Sequence, residues 1–80
     1  MNKQLKTANA TEISEAASLV AQRHVELGTC DPNGAWHNWR SINNLWNPWS
    51  PETQEVCERE RPLAYQVFVK AYLTTQGWKR

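Results

Sequence analysis

His24, Cys30, His37 and Cys57 are the side chains in this chain of 80 residues whose types suit a tetrahedral zinc site. Structural zinc sites draw their ligands from closely spaced pairs, so that one short loop presents two donors at once. No two of these residues are so placed, and the sequence predicts neither metal nor cofactor. A cysteine with a histidine and Asp31 could form a thiolate nucleophile, which needs a base and an orienting group beside it. Cys57 instead stands among Glu52, Glu55, Glu58 and Glu60, and neighbouring negative charge opposes the thiolate. The chain has three glycines and no HExxH motif, GxSxG motif or phosphate-cradling glycine loop. The expectation is a non-enzymatic protein without catalytic residues.

The chemistry that stands out is aromatic. Four of the five tryptophans, Trp36, Trp39, Trp46 and Trp49, fall in a stretch whose only charged side chain is Arg40. Tryptophan and arginine without other charge is the composition of an interface centre, and equally of a core. Together the four indoles could bury roughly 600 to 1,000 Å². A small bundle must also enclose Ile13, Val20, Leu27, Ile42, Leu45, Val56, Leu63, Val67, Phe68 and Leu73, while Tyr65, Tyr72 and Trp78 compete for the same space. Indoles left outside would form a patch of the size that marks an interaction site. The predicted partner-binding residues are therefore Trp36, Trp39, Arg40, Trp46 and Trp49, with His37 and Asn44 on the polar face of the same helix. Trp46 and Trp49 lead this set, because they flank Asn47-Pro48, where a helix end would leave side chains projecting.

The elements that must position these residues are helices. Residues 1–8 are polar and aperiodic and read as a flexible arm. Asn9 followed by Glu12 has the form of a capping pair, and Ile13, Ala16, Ala17, Val20, His24 and Leu27 recur on one helical face as far as Gly28. A helix is predicted over 9–27. Thr29 to Gly34 carries turn chemistry and reads as a loop. A second helix follows over 35–46, with Trp36, Trp39, Ile42, Leu45 and Trp46 on its apolar face, ended by Pro48. Ser50-Pro51-Glu52 starts a third over 51–61. Pro62 then kinks the chain or opens a fourth helix over 63–76, where alternation also allows a strand; a lone strand would leave its backbone unpaired, so helix is preferred. The predicted fold is all-α, a single domain over 1–80 built as a bundle of three or four helices.

Lys and Arg total 9 against 8 acidic residues, for a formal charge of +1. A protein held mainly by phosphate contacts carries a broader positive field. Nucleic-acid binding, with bases stacked on tryptophan beside Arg40, is therefore the less favoured alternative. No segment approaches a membrane span and the first residues lack the apolar run of a signal peptide, which points to a soluble cytoplasmic protein with Cys30 and Cys57 as free thiols. In size and absence of catalytic motifs the chain is similar to small accessory, inhibitor or anti-defence proteins of phages and plasmids. The function expected is that of a protein-binding module, an inhibitor or adaptor that occludes or bridges a larger protein partner through the tryptophan surface. A homodimer or homo-oligomeric structural protein using the same surface is the competing expectation. On sequence grounds, Trp46→Ala and Trp49→Ala abolish partner capture in a pull-down and leave the melting curve little changed.

Overall fold

A computed structural model describes residues 4–77. The parts of the predicted arm at residues 1–3 and the competition of Trp78 for core space lie outside the described residues. The protein is all-α, with three helices and no strand among the described residues: α1 (Ala10–Leu27), α2 (Pro32–Ile42) and α3 (Pro51–Thr75).

Each helix begins on a side chain that satisfies an orphan backbone donor. At α1 the Asn9 side chain accepts the Glu12 N–H at 2.8 Å, while the Glu12 carboxylate accepts the Asn9 N–H at 2.9 Å. Such a reciprocal box is worth about 1 kcal/mol. The helix ends where Gly28 turns left-handed at φ 73°, so that the Thr29 N–H donates to the His24 carbonyl at 2.8 Å.

α2 starts three residues earlier than predicted. Asp31 accepts the Gly34 N–H at 3.0 Å and Pro32 takes the first helical position, which turns the expected loop into the first turn of the helix. Its carboxylate folds so closely over Gly34 that a Cβ there would overlap it.

α2 also stops four residues early, at Ile42 rather than 46. Asn44 and Trp46 both adopt left-handed backbone, at φ 55° and 50°. Asn tolerates this region because its short polar side chain bonds locally, and here Asn44 accepts from Asn47 Nδ2 at 2.7 Å. The turn closes with the Leu45 N–H on the Arg40 carbonyl at 2.9 Å. Asn43-Asn44 was the missed stop signal.

Ser50 and Thr53 form the box that opens α3, with Pro51 at the first turn. The expected division of this segment at Pro62 does not occur. Pro62 removes the donor that Glu58 would have met, but both residues face solvent, where water can serve the carbonyl, and Arg61 Nε donates to the preceding Cys57 carbonyl at 3.3 Å. One helix of 25 residues results, ending before left-handed Gly77, where the sequence places its stop.

The helices run up, down and up. α1 lies alongside the second half of α3, with Ala10 near Leu63 at one end and His24 bonded to Tyr72 at the other. α2 returns against both, from Asp31 beside Tyr72 through Trp36 against Phe68 to the turn that sets Trp46 on Glu60. The inner stripe of α1 is Ile13, Ala17 and Ala21; that of α3 is Cys57, Ala64, Phe68 and Tyr72. Alanines at the contact let the two helix backbones approach closely. Several predicted core residues lie outside: Leu63 is 62% exposed, and Leu27 and Ile42 are also exposed. The end of the α1–α3 interface is taken by His24 and Tyr72 rather than by Leu27.

Trp36 sits at the centre of the core. Its ring lies 5.6 to 5.9 Å from those of Trp39, Trp46, Tyr65 and Phe68. Trp46, expected to project outward, is 2% exposed, because the left-handed turn swings its indole back under α2. Its Nε1–H then donates to Glu60 at 3.1 Å, which satisfies the one polar atom that burial would strand. At the opposite end, the fully buried Tyr72 carries its hydroxyl to His24 Nδ1 and accepts the Asp31 N–H at 2.8 Å.

Two outcomes test this account, both read from urea unfolding curves. Trp46→Ala should cost about 3 to 5 kcal/mol, in contrast to the negligible effect expected on sequence grounds. Tyr72→Phe should cost about 1 to 2 kcal/mol, since it keeps the ring but leaves His24 and the Asp31 amide without their partner.

Candidate interaction surface

An open groove of about 340 Å³ runs between α1 and the end of α2. Its apolar lining comes from half-buried Trp39, buried Leu45, and Ala16 and Ala8. Leu19 stands at its edge with 69% of its surface exposed. Polar groups frame it: Glu12 and Glu15 from α1, Lys6 and Thr7 from the arm, and Asn43 from the turn. The Glu12 carboxylate is held by the Asn9 amide, and Asn43 Nδ2 donates to the Trp39 carbonyl at 3.0 Å. The arm itself is placed by the Trp46 N–H, which donates to the Lys6 carbonyl at 2.8 Å. Residues 4–8, read from sequence as part of a flexible arm, are thus set against the core, with Leu5 and Ala8 packed on it.

The seven predicted partner-binding residues are dispersed by the fold. Trp36 and Trp46 are core side chains, at 4% and 2% exposure. Trp39 is half-buried, stacked on Phe68 at 5.5 Å on one side and lining the groove on the other. Trp49 lies at the surface, 45% exposed, beside the start of α3. His37 is exposed on α2. Arg40, expected on a polar outer face, bends along its helix end instead. Its Nη1 donates to the carbonyls of Leu45 and Trp46, both at 3.3 Å, so the guanidinium serves carbonyls that the turn leaves without helical partners. Asn44 belongs to the same turn, bonded to Asn47.

Leu19, Ala16 and Glu15 were not among the predicted site residues. Leu19 had a legible signal: it is a leucine lying off the apolar stripe of its own helix, and such a residue is buried only if something else covers it. The groove is completed by Lys6, Thr7 and Ala8 of the arm and by Asn43 and Leu45 of the turn, whose positions no local pattern specifies.

The residues with metal or nucleophile chemistry do not converge. Among the described residues no group of three or more His, Cys, Asp or Glu side chains is placed to hold a metal ion. His24 is bonded to Tyr72, Cys57 is buried and Cys30 is exposed, both as free thiols. Among the described residues no helix is long and apolar enough to cross a membrane. No family model, curated protein or solved structure matches the chain.

Leu19 is 69% exposed, so Leu19→Glu should change unfolding stability by no more than about 0.5 kcal/mol in chemical denaturation. A larger loss would place Leu19 in the core rather than at a surface.

Proposed function

We propose that this protein is a non-enzymatic protein-binding module that uses the α1–α2 groove to engage a larger partner. The observation that carries this reading is Leu19, 69% exposed at the edge of a groove lined by Trp39. A partner's apolar side chain seated there would cover both residues, and tryptophan is among the residue types enriched at interaction hot spots. Glu12 and Glu15 beside the groove suit a partner segment whose apolar anchor is flanked by a basic residue. A chain of this size acts on a larger protein by occluding a surface or bridging two, which is the work of an inhibitor or adaptor.

A second copy of the chain is the competing occupant. Glu15 and Arg23 lie four residues to either side of Leu19, so a two-fold axis through Leu19 in an antiparallel α1 pair would bring each glutamate opposite the other copy's arginine. Stacking on nucleic acid is less favoured, because the Trp36 and Trp46 rings are enclosed by other aromatics and offer no face to a base.

Affinity capture from native lysate checks the first reading. Leu19→Glu should lower recovery of the partner at least about tenfold, the effect of burying an unpaired charge at a hot spot, whereas Leu27→Glu, at an exposed apolar position elsewhere, should not. Equal recovery by the two variants removes the groove from the interaction. Light scattering across a concentration series separates the second reading, since self-association lost in Leu19→Glu would identify another copy as the occupant.

A further inference from the structure

The groove has a neighbour. On the other side of the arm a second hollow of about 230 Å³ is lined by Ile13, Trp46, Leu63, Ala64 and Val67, and Ala8 borders both. Ala8 of the arm therefore lies between two hollows, one toward α2 with polar groups at its rim and one toward α3 that Glu60 also borders.

Little fastens it. Among the described residues its attachments are the Trp46 N–H to Lys6 carbonyl bond and the half-buried Leu5 and Ala8, while Gln4, Lys6 and Thr7 are exposed. Ordering several non-helical residues costs conformational entropy comparable to what one half-buried leucine and one backbone hydrogen bond return. Lifting the arm would remove Ala8, the residue the two hollows share, and so open one toward the other as a channel with apolar walls and a polar rim. It would also expose the Trp46 amide, which the left-handed turn aims at the arm.

We infer that the arm is a displaceable intramolecular occupant of a peptide-docking channel. The ligand is an irregular or extended segment of a partner protein that offers a backbone carbonyl to Trp46 N–H, with an apolar residue just before it and a small residue two positions after. That is the chemistry the arm itself presents through Leu5, Lys6 and Ala8. This inference rests on reading the groove as a binding surface, and adds that the surface is held partly closed by the chain's own arm.

The test uses the full chain carrying Leu5→Asp, followed by amide exchange and NMR. The Trp46 amide should exchange at least about tenfold faster than in the unaltered chain, while the Phe68 and Tyr72 amides keep their protection, as local opening requires. A synthetic peptide of residues 4–9, added at millimolar concentration, should return the Trp46 and Leu45 amide shifts toward their unaltered positions. Unchanged Trp46 exchange, a parallel loss of protection at Phe68 and Tyr72, or no response to the peptide would each overturn the inference. So would a concentration-dependent dimer of the unaltered chain that Leu5→Asp abolishes, since that would make the arm an exchanged element between copies. None of these readouts involves a partner, so they fail independently of the capture experiment with Leu19→Glu.

Discussion

Trp46 holds backbone that a bulky side chain adopts only under constraint, at φ 50°, and such a conformation costs about 1 to 3 kcal/mol. Offsetting it is a set of contacts to three separate segments of the chain. Its indole lies against Trp36 with ring centres 5.9 Å apart and donates to Glu60, its amide holds the arm at Lys6, and its carbonyl accepts from Arg40. Arm, α2 and α3 are tied together through this one residue. Both apolar hollows are framed by the same arrangement, one beside Leu45 and the other beside Trp46 itself.

The other end of the bundle is fastened differently. There the Tyr72 hydroxyl joins His24 of α1 to the Asp31 amide at the start of α2, and Gln76 Nε2 donates to the carbonyls of Ala21 and Thr29 at 3.2 and 3.1 Å. Polar junctions of this kind are sensitive to the loss of any member, because a buried group left unpaired costs more than the bond contributes when made. The bundle is thus closed by a hydrogen-bonded junction around the Tyr72 hydroxyl at one end, and at the other by indole packing together with the bonds of Trp46 to Glu60, Lys6 and Arg40. The groove beside Leu45 and the hollow beside Trp46 adjoin the second of these.

A bundle this small does not enclose all four clustered indoles, but the enclosed pair differs from expectation: Trp36 and Trp46 are buried, Trp39 is half-buried and Trp49 lies at the surface. Space for the two buried rings arises because alanines and Cys57, rather than leucines, line much of the facing helices. Leu27, Ile42 and Leu63, large residues assigned to the core by periodicity, are outside. A wheel identifies which residues share a face, but which face meets another helix depends on how the helices cross. On α3 the winning stripe is Cys57, Ala64, Phe68 and Tyr72, displaced from the Leu63, Val67 and Ala71 repeat that hydrophobicity suggests.

What the amino-acid order determined alone is local: the Asn9 and Ser50 caps, the glycine stops of α1 and α3, the helical character of each long segment and hence the all-α class. These follow from interactions between residues three or four positions apart, which sequence displays directly. Only the tertiary structure decided that Pro62 leaves α3 unbroken, that Trp46 turns inward, that Arg40 serves helix-end carbonyls and that the arm lies against the core. Each of these depends on a partner distant in the chain or on which side faces water, and neither is written in any local pattern. The candidate surface belongs to this second class, because Leu19, Trp39 and Ala8 become neighbours only when three separate segments meet.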